Sequence, residues 1–356
     1  MIRTLALGPS DRVLVLAPHP DDESAATGGI LQHALAAGAG LLVLFFTNGD
    51  NNPWAQRATE LRWRIGPADR ARFAALRREE VRAAVARLGV PDGACRFLGY
   101  PDQSTTDLLL HGNDVALGKL VAEIRQWRPT VAVGPSLLDL HPDHSALGVM
   151  LALALAALAP EVSVRHHARF LVHNPLLRAR HEATAVLPLT AEQRRRKLDA
   201  ILCHRSQLRL RGSWLPSFAE AEERYFIAES PFGIARHPVR GARLEAESAV
   251  FEIESASHLR AFGGRTLCLV GGSPAAAGIR LAAPLPASPG AAPLVDLRTG
   301  GPAGEARFAG RGGRGELRVP LALVASQPRL YAKIERAHGF FDEAGWRELS
   351  LDAPPL

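Results

Sequence analysis

The sequence predicts two kinds of folded structure, a Rossmann-like α/β domain over residues 1–230 and a smaller all-β domain over residues 231–356. The α/β prediction rests on short apolar runs such as Arg12–Ala17 and Leu41–Thr47, which are typical of strands buried on both faces. Helix-length segments separate these runs, and this alternation favours parallel strands joined by right-handed crossovers. We therefore expect an open, mostly parallel sheet with helices on both faces.

The individual elements follow from local start and stop signals. A helix over Glu23–Ala37 is expected to end near Gly38, and an amphipathic helix over Arg70–Leu88 to end at Gly89. The polar stretch Asp50–Asp69 is expected to form a long loop or lid. The remaining predicted elements are strands at Cys95–Leu98, Thr130–Gly134, Arg169–His173 and Arg224–Ala228 and helices at Asn113–Trp127, Pro142–Leu158 and Thr190–Cys203.

The character of the sequence changes after about Ser230, where Gly, Pro, Arg and Ala become dense and long helical patterns end. Short alternating segments remain, separated by Gly-rich breaks such as Gly310–Gly315. This pattern favours a sandwich-like arrangement of strands. The predicted strands lie at Ala249–Ile253, Thr266–Val270, Glu316–Val324 and Arg329–Ile334.

The composition excludes several classes of protein. Of the 356 residues, 47% are apolar and 22% are charged, so the chain is not of the disordered class. The longest apolar run, 146–159, is shorter than the roughly 20 residues of a membrane-spanning helix. Residues 1–16 lack the pattern of a secretory signal. Because the three cysteines are also odd in number and far apart, we expect a cytoplasmic protein without a membrane span.

The charge pattern does not indicate a nucleic-acid partner. The net charge is +6, and the densest basic run is 194–197 on a predicted helix. No aromatic residues are interleaved with that run, as single-strand binding would require. We interpret it as a solvated helix face. The sequence does not indicate an oligomeric state.

A first cluster of chemically active side chains follows the first predicted strand. It contains His19, Asp21, Asp22 and Glu23, with prolines on both sides of the histidine. These prolines favour extended backbone, in which neighbouring side chains point to opposite sides. One aspartate could then bind a metal while the other faces a reacting water. The alternative is that Asp21 or Asp22 caps the following helix.

A second cluster, His141-Pro142-Asp143-His144, opens the helix after the Thr130–Gly134 strand. Pro142 suits the first helical position, and two histidines three residues apart can turn toward one point. Both clusters lie where strands end, which is the edge of an α/β sheet that binds ligands. Two imidazoles and a carboxylate around an open position are the usual composition of a catalytic zinc site.

These motifs resemble the PIG-L/LmbE family of zinc-dependent N-acetylglucosaminyl deacetylases. The resemblance rests mainly on HPDD after the first strand together with HPDH about 120 residues later. Further similar segments are Thr27-Gly28-Gly29, Arg77–Glu80, Leu98–Asp102 and Lys197–Gln207. The resemblance covers roughly residues 10–230 and does not reach the β-rich segment.

The resemblance implies a role for each matching residue. His19, Asp22 and His144 would be the zinc ligands, with Asp21 as the general base. His141 would stabilise the oxyanion or protonate the leaving amine. The side chains of Arg77 and Asp102 would hold the substrate through sugar hydroxyls or an attached anionic group.

One position departs from the family pattern. Some members carry a tyrosine two residues before the first histidine of HPDH, and this sequence has Asp139 there. Asp139 or Asp143 could instead orient His141. The resemblance implies hydrolysis of the N-acetyl group of an amino sugar or glycoconjugate. The alternatives are a zinc amidohydrolase acting on a non-sugar N-acyl substrate and a non-catalytic carbohydrate-binding protein.

The β-rich segment contains none of these candidate residues. We therefore expect a separately packed module that docks through apolar side chains such as Phe251, Leu330, Phe340 and Trp346. On this hypothesis, truncation near Ser230 leaves zinc binding measurable and lowers stability or solubility, because the docking surface becomes exposed.

Overall fold

The computed structural model describes residues 3–112, 114–179, 183–255, 264–272, 278–327 and 329–351. The chain forms two compact units, and each is built from several chain segments. The first unit consists of Met1–Thr105, Glu123–Ser136 and Pro160–Ala228. The second consists of Thr106–Ala122, Leu137–Ala159 and Glu229–Leu356. The domain boundary expected near residue 230 stays a prediction.

The elements before residue 230 alternate between strands and helices. The strands are β1 (Arg3–Thr4), β2 (Arg12–Ala17), β3 (Gly40–Thr47), β4 (Cys95–Tyr100), β5 (Val131–Pro135), β6 (His166–Phe170), β7 (Ala185–Pro188) and β8 (Glu222–Tyr225). The helices are α1 (Asp22–Ala25), α2 (Gly28–Ala36), α3 (Pro53–Glu60), α4 (Pro67–Leu88), α5 (Thr105–Leu110), α6 (Val115–Trp127), α7 (Pro142–Leu158), α8 (Pro175–Ala179), α9 (Ala191–Ile201) and α10 (Arg205–Arg211).

A parallel sheet in the order β4-β3-β2-β5-β6 forms the centre of the first unit. Strands β2, β3 and β5 are buried along almost their whole length, as their apolar runs predict. Val15, Val43 and Val133 from these strands belong to one apolar core. The predicted fold class, a Rossmann-like parallel sheet flanked by helices with a separate β-rich part, is confirmed.

The sequence predicts one continuous helix over Glu23–Ala37. This prediction is wrong, because the structure divides the segment into the two helices α1 and α2. The carboxylate of Glu223 accepts hydrogen bonds from the backbone N–H groups of Gly29 and Ile30 at 2.6 and 2.9 Å, and so satisfies the start of α2. A Cβ atom on Gly29 would lie 2.7 Å from the carboxylate carbon of Glu223, so this approach requires glycine. The partner that caps the start of α2 is therefore almost 200 residues away in the sequence.

Other boundaries also differ from the prediction. The expected loop Asp50–Asp69 contains α3 and the start of α4, because Pro53 suits the first helical turn and the Asn52 side chain accepts from Ala55 N. Strand β6 lies three residues earlier than expected, and β8 ends at Tyr225. The start of the helix predicted from residue 113 lies outside the described residues. A small sheet in the order β1-β7-β8 was not predicted.

The elements after residue 230 are mainly strands. They are β9 (Val239–Leu244), β10 (Ser248–Glu254), β11 (Arg265–Gly271), β12 (Arg280–Pro284), β13 (Gly290–Asp296), β14 (Pro302–Arg311), β15 (Arg314–Pro320), β16 (Leu330–Arg336) and β17 (Arg347–Leu349), with short helices α11 (Pro231–Arg236) and α12 (Leu321–Val324). The strand predicted to run to Val324 therefore ends at Pro320, where α12 begins.

These strands form a single antiparallel sheet instead of the expected sandwich. Its order is β17-β16-β11-β12-β13-β14-β15-β10-β9 within the described residues. Strand β9 at one end contacts β16 and β17 at the other, so the sheet curls back on itself. Phe251, Leu267, Leu317 and Leu330 pack within its apolar core. The alternating pattern predicts one buried face per strand, which a curled sheet satisfies as well as two stacked sheets do.

No helix in the described part of the chain combines the length and apolar character that crossing a membrane requires.

Candidate metal centre and active site

The HPDD motif lies in the turn between β2 and α1. The backbone N–H groups of Asp21 and Asp22 both approach the carbonyl oxygen of His19, at 3.0 and 3.3 Å. The segment is thus a turn instead of the expected extended chain, because α1 already begins at Asp22. The Asp21 side chain makes no capping hydrogen bond to this helix, so the capping alternative does not account for it.

His19 and Asp22 face one another across this turn. The His19 Nδ1 and the Asp22 Oδ2 atoms lie 3.4 Å apart, and the same oxygen accepts a hydrogen bond from His19 N at 2.9 Å. Two atoms that share a tetrahedral zinc ion at 2.0–2.2 Å are about 3.4 Å apart. Both side chains are buried. The spacing and the donor types of this pair therefore fit a metal ion.

Asp102 approaches the other ring nitrogen of His19. This residue follows β4, and one of its carboxylate oxygens lies 3.0 Å from His19 Nε2. Its backbone N–H donates to Asp50 Oδ1 at 2.9 Å, which ties the loops after β3 and β4 together. A carboxylate on the second nitrogen of a ligating histidine fixes the ring orientation. The substrate-binding role expected for Asp102 stays a prediction.

Asp21 points to Arg77 on α4. The Arg77 Nη2 atom lies 3.2 Å from Asp21 Oδ2, and the guanidinium also donates to the carbonyl oxygens of Pro20 and Gly49. Gly49 has φ 63°, and a Cβ atom there would lie 2.6 Å from Arg77 Nη1. Arg77 is buried and holds the turn in place, and its expected contact with substrate stays a prediction. Asp21 and Asp22 thus have separate partners.

His141 of the HPDH motif forms the N-terminal cap of α7. Its Nδ1 atom accepts a hydrogen bond from the backbone N–H of Asp143 at 3.2 Å. Since a neutral imidazole carries one N–H, this bond places the proton on Nε2. His141 is therefore held in the tautomer that can donate from Nε2. Its ring centroid lies 5.0 Å from that of His144.

Asp139 connects the two histidines. One of its oxygens accepts from His141 N at 2.9 Å, and the other lies 3.3 Å from His144 Nδ1. Asp139 therefore holds the backbone of His141 and the ring of His144, while Asp143 holds the ring of His141 through its backbone N–H. From the sequence, these two aspartates are expected to act on His141 alone. The contact to the His144 ring is visible only in the folded chain.

The segment after β16 packs directly on the HPDH motif. The backbone N–H of Asp342 donates to Leu140 O at 2.8 Å, and that of Trp346 donates to Leu137 O at 2.7 Å. The Asp342 carboxylate accepts from Ser145 Oγ at 3.1 Å and lies 2.7 Å from Lys333 Nζ. Burial raises the pKa of Asp342 to about 6, although the Lys333 ammonium opposes this shift.

In the structure the β-rich segment therefore packs with the HPDH segment, whereas the expected effect of truncation near Ser230 stays a prediction. Both histidines of HPDH belong to the same compact unit as the curled sheet. Truncation near Ser230 would remove Lys333, Asp342 and Trp346, and with them the support of this motif. Trp346 is fully buried, whereas Phe340 remains 46% exposed. The buried ion pair between Lys333 and Asp342 is not predictable from the sequence, because no local pattern distinguishes it from two surface charges.

A second buried network involves the Lys197–Gln207 segment. Lys197 lies 2.5 Å from Glu223, the residue that caps α2, and His204 Nε2 lies 2.9 Å from Glu23. Burial disfavours the charged form of His204, but the Glu23 carboxylate outweighs it and raises the pKa of His204. The network anchors the helices that follow the HPDD turn.

This network corrects one prediction about charge. The basic run 194–197 was expected to be a solvated helix face, and its three arginines are exposed. Lys197 instead is buried and paired.

Ser206 belongs to the same segment and donates through N and Oγ to the Glu80 carboxylate at 2.7 and 2.6 Å.

Comparison with known proteins identifies one matching family model. Residues 14–155 match the family model described as PIG-L: GlcNAc-PI de-N-acetylase. The resemblance inferred from HPDD and HPDH is therefore confirmed, and the matched residues include both motifs. The PIG-L match ends within α7, before the curled sheet begins.

Several similar proteins are named as deacetylases. The 1D-myo-inositol 2-acetamido-2-deoxy-alpha-D-glucopyranoside deacetylase of Mycobacterium avium is 36% identical over 146 residues, covering 37% of this chain and 47% of the relative. This chain thus spans about half the length of that relative. A probable N-acetyl-alpha-D-glucosaminyl L-malate deacetylase 2 of Bacillus cereus is 28% identical over 207 residues, which cover 55% of this chain and 83% of the relative. The N,N'-diacetylchitobiose deacetylase of Pyrococcus horikoshii is a similar solved structure, with TM-score 0.48 and 21% identity over 63% of this chain and 88% of that chain.

Proposed function

We propose that this protein is a zinc-dependent hydrolase that removes the N-acetyl group from an amino sugar or its conjugate. The observation that carries the proposal is the separation of the two neighbouring aspartates. Asp22 faces His19 with metal-ligand spacing, whereas Asp21 is held by Arg77 and is available for a different task. A purely structural metal site would not need a second carboxylate beside the ligands.

The proposed zinc ligands are His19, Asp22 and His144, all of which are buried and offer a ligand atom. Each histidine has a carboxylate at one ring nitrogen, Asp102 for His19 and Asp139 for His144. Such carboxylates fix the ring and raise the basicity of a ligating histidine. When bound, zinc supplies the Lewis acidity that polarises an amide carbonyl and acidifies water.

The residues of the chain divide the proton transfers between them. Asp21 would take a proton from the attacking water, with its carboxylate oriented by the ion pair to Arg77. His141 would act on the amide from Nε2, where its N–H either stabilises the developing oxyanion or is transferred to the leaving nitrogen. The hydrogen bond from Asp143 N to His141 Nδ1 supports this role, because it fixes the required tautomer.

The substrate class rests on the relatives, whose names describe deacetylases of N-acetylglucosamine-containing compounds. We propose a small N-acetyl amino sugar or glycoconjugate as the partner, and no nucleic acid. A cytoplasmic location is also proposed, supported by three free cysteines that form no disulfide.

The experiment that tests the function is acetate release from N-acetyl sugars, their nucleotide conjugates and oligosaccharides. We expect turnover with at least one sugar, loss of turnover with a chelator and recovery on addition of zinc. Asp21→Asn is the matched control, because it should bind zinc without turnover. Turnover of non-sugar N-acyl compounds alone would replace this proposal by the amidohydrolase alternative. Sugar binding without any acetate release would replace it by the carbohydrate-binding alternative.

A further inference from the structure

Two phenylalanine rings from the segment after β16 lie beside His141. The ring centroid of Phe340 is 4.9 Å from that of His141, and the centroid of Phe341 is 6.1 Å from it. The two phenyl rings are 5.0 Å apart and nearly perpendicular. Both side chains remain almost half exposed, at 46% and 44%. An apolar surface is thus presented to solvent next to a residue of the proposed active site.

The backbone that follows these rings is fixed by several contacts. The backbone N–H of Asp342 donates to Leu140 O, and the backbone N–H of Trp346 donates to Leu137 O. Gly345 has φ 72°, and a Cβ atom there would lie 2.2 Å from Leu137 O, so the segment approaches the HPDH motif as closely as glycine permits. Arg336 donates to the carbonyl oxygen of Phe341. The backbone beside the rings is therefore held in place while the two side chains stay almost half exposed, and a ligand would lose little backbone entropy in binding to them.

The position of the rings indicates which part of a substrate they would contact. Whichever step His141 performs, its Nε2 atom must reach the oxygen or the nitrogen of the scissile amide. An acetyl group offers a single methyl, which is too small to cover two perpendicular rings whose centroids are 5.0 Å apart. The amino-sugar ring on the nitrogen side is large enough, and the C–H groups of a pyranose form an apolar face that packs on aromatic rings.

We propose that Phe340 and Phe341 are specificity-determining residues that bind the apolar face of the amino-sugar ring. This inference rests on the proposed deacetylase function and assigns a substrate contact to the β-rich part of the chain. The two rings would select pyranose-bearing amides over acyclic ones.

The test compares two substrates that differ in the sugar ring, methyl N-acetyl-β-glucosaminide and N-acetylethanolamine. The variants are Phe340→Ala, Phe341→Ala and the conservative Phe341→Tyr. Leu176→Ala on α8 is the control, because it truncates another apolar side chain that is half exposed. We expect each alanine variant to raise KM for the glucosaminide about 3- to 10-fold with a smaller change in kcat. KM for N-acetylethanolamine should not change, and Phe341→Tyr should retain wild-type values.

Calorimetric titration with methyl β-glucosaminide, the deacetylated product, separates this proposal from the proposed function. Ring-dependent affinity for that sugar without acetate release from any substrate would overturn the deacetylase function and support the aromatic contact. Equal losses with both substrates, or losses in kcat alone, would overturn the contact, because the rings would then only position His141. A defect confined to substrates with long N-acyl chains would also overturn it and would place the acyl group on these rings.

Discussion

At the scale of single residues, the main feature is that each histidine and aspartate of the two motifs has its own fixed partner. Arg77 holds Asp21, His19 faces Asp22, and Asp139 holds His144. The residue types and their order were predictable from the sequence, because HPDD and HPDH place the chemistry at strand ends. Asp102 comes from a different loop and Asp139 lies just before HPDH, and their distances to the histidines follow only from the folded chain.

The separation of Asp21 from Asp22 predicts different consequences for two neighbouring substitutions. Asp21→Asn should retain metal and lower kcat about 10²- to 10⁴-fold, since it removes a proton-transfer group. Asp22→Asn should lose metal, because a neutral amide is a weaker ligand than a carboxylate. Metal analysis and initial rates of the two purified variants check both statements. Loss of metal from Asp21→Asn with activity restored by added zinc would exchange the two roles.

The contact between Asp102 and His19 predicts an effect on metal affinity. If Asp102 orients the ring, Asp102→Asn should weaken zinc binding about 10- to 100-fold. Competition with a chromogenic chelator measures this affinity without any substrate. Asp50→Asn is a useful comparison, because Asp50 contacts the backbone of Asp102 and not the histidine. Unchanged zinc affinity with a raised KM would instead assign Asp102 to substrate binding alone.

At the scale of elements, the helices that follow the HPDD turn depend on charges from distant parts of the sequence. Glu223 on β8 caps α2 and pairs with the buried Lys197 of α9. Sequence patterns predicted most strands and long helices of the first unit, because their apolar periodicity is local. The break between α1 and α2 and the small sheet β1-β7-β8 depend on long-range partners, which local periodicity does not encode.

Removing the Glu223 charge should therefore destabilise the first unit. Glu223→Gln leaves the Lys197 ammonium buried without its counter-ion, and we expect a loss of about 3–5 kcal/mol in the free energy of unfolding. Glu222→Gln is the matched control, because the neighbouring Glu222 makes only a partly exposed ion pair with Arg224. Urea unfolding of both variants gives the comparison. Equal stability of the two variants would contradict the structural role of the buried pair.

At the scale of the whole molecule, the second unit joins the HPDH motif to the curled sheet through buried polar contacts. His237, which lies just before β9, makes two of these contacts. Its Nδ1 accepts from Val239 N at 3.1 Å, and its Nε2 lies 3.2 Å from Gly345 O. Burial lowers the pKa of His237 from 6.5 to about 4. The folded state therefore requires this imidazole to be neutral.

This shift predicts a loss of stability in mild acid. Between about pH 6.5 and pH 4 the unfolded chain binds a proton at His237 that the folded chain does not. The contribution of His237 to the free energy of unfolding is therefore fully present above pH 6.5 and falls as the pH drops toward 4. The full effect is on the order of 3 kcal/mol. Urea midpoints measured across this range should decrease toward low pH, and less steeply in His237→Gln. His111→Gln, at an exposed histidine, serves as control. An unchanged slope in His237→Gln would contradict the assignment.

The hydrogen bond between Ser145 and Asp342 joins residues that are 197 positions apart in the chain. During synthesis on the ribosome, the HPDH motif therefore emerges long before the segment that supports it. His141 and His144 acquire their final surroundings only when the last strands have been translated and folded. A nascent chain arrested before Lys333 would carry both sequence motifs and still lack the contacts of Asp342 and Trp346, so the final surroundings of HPDH depend on the β-rich part of the protein.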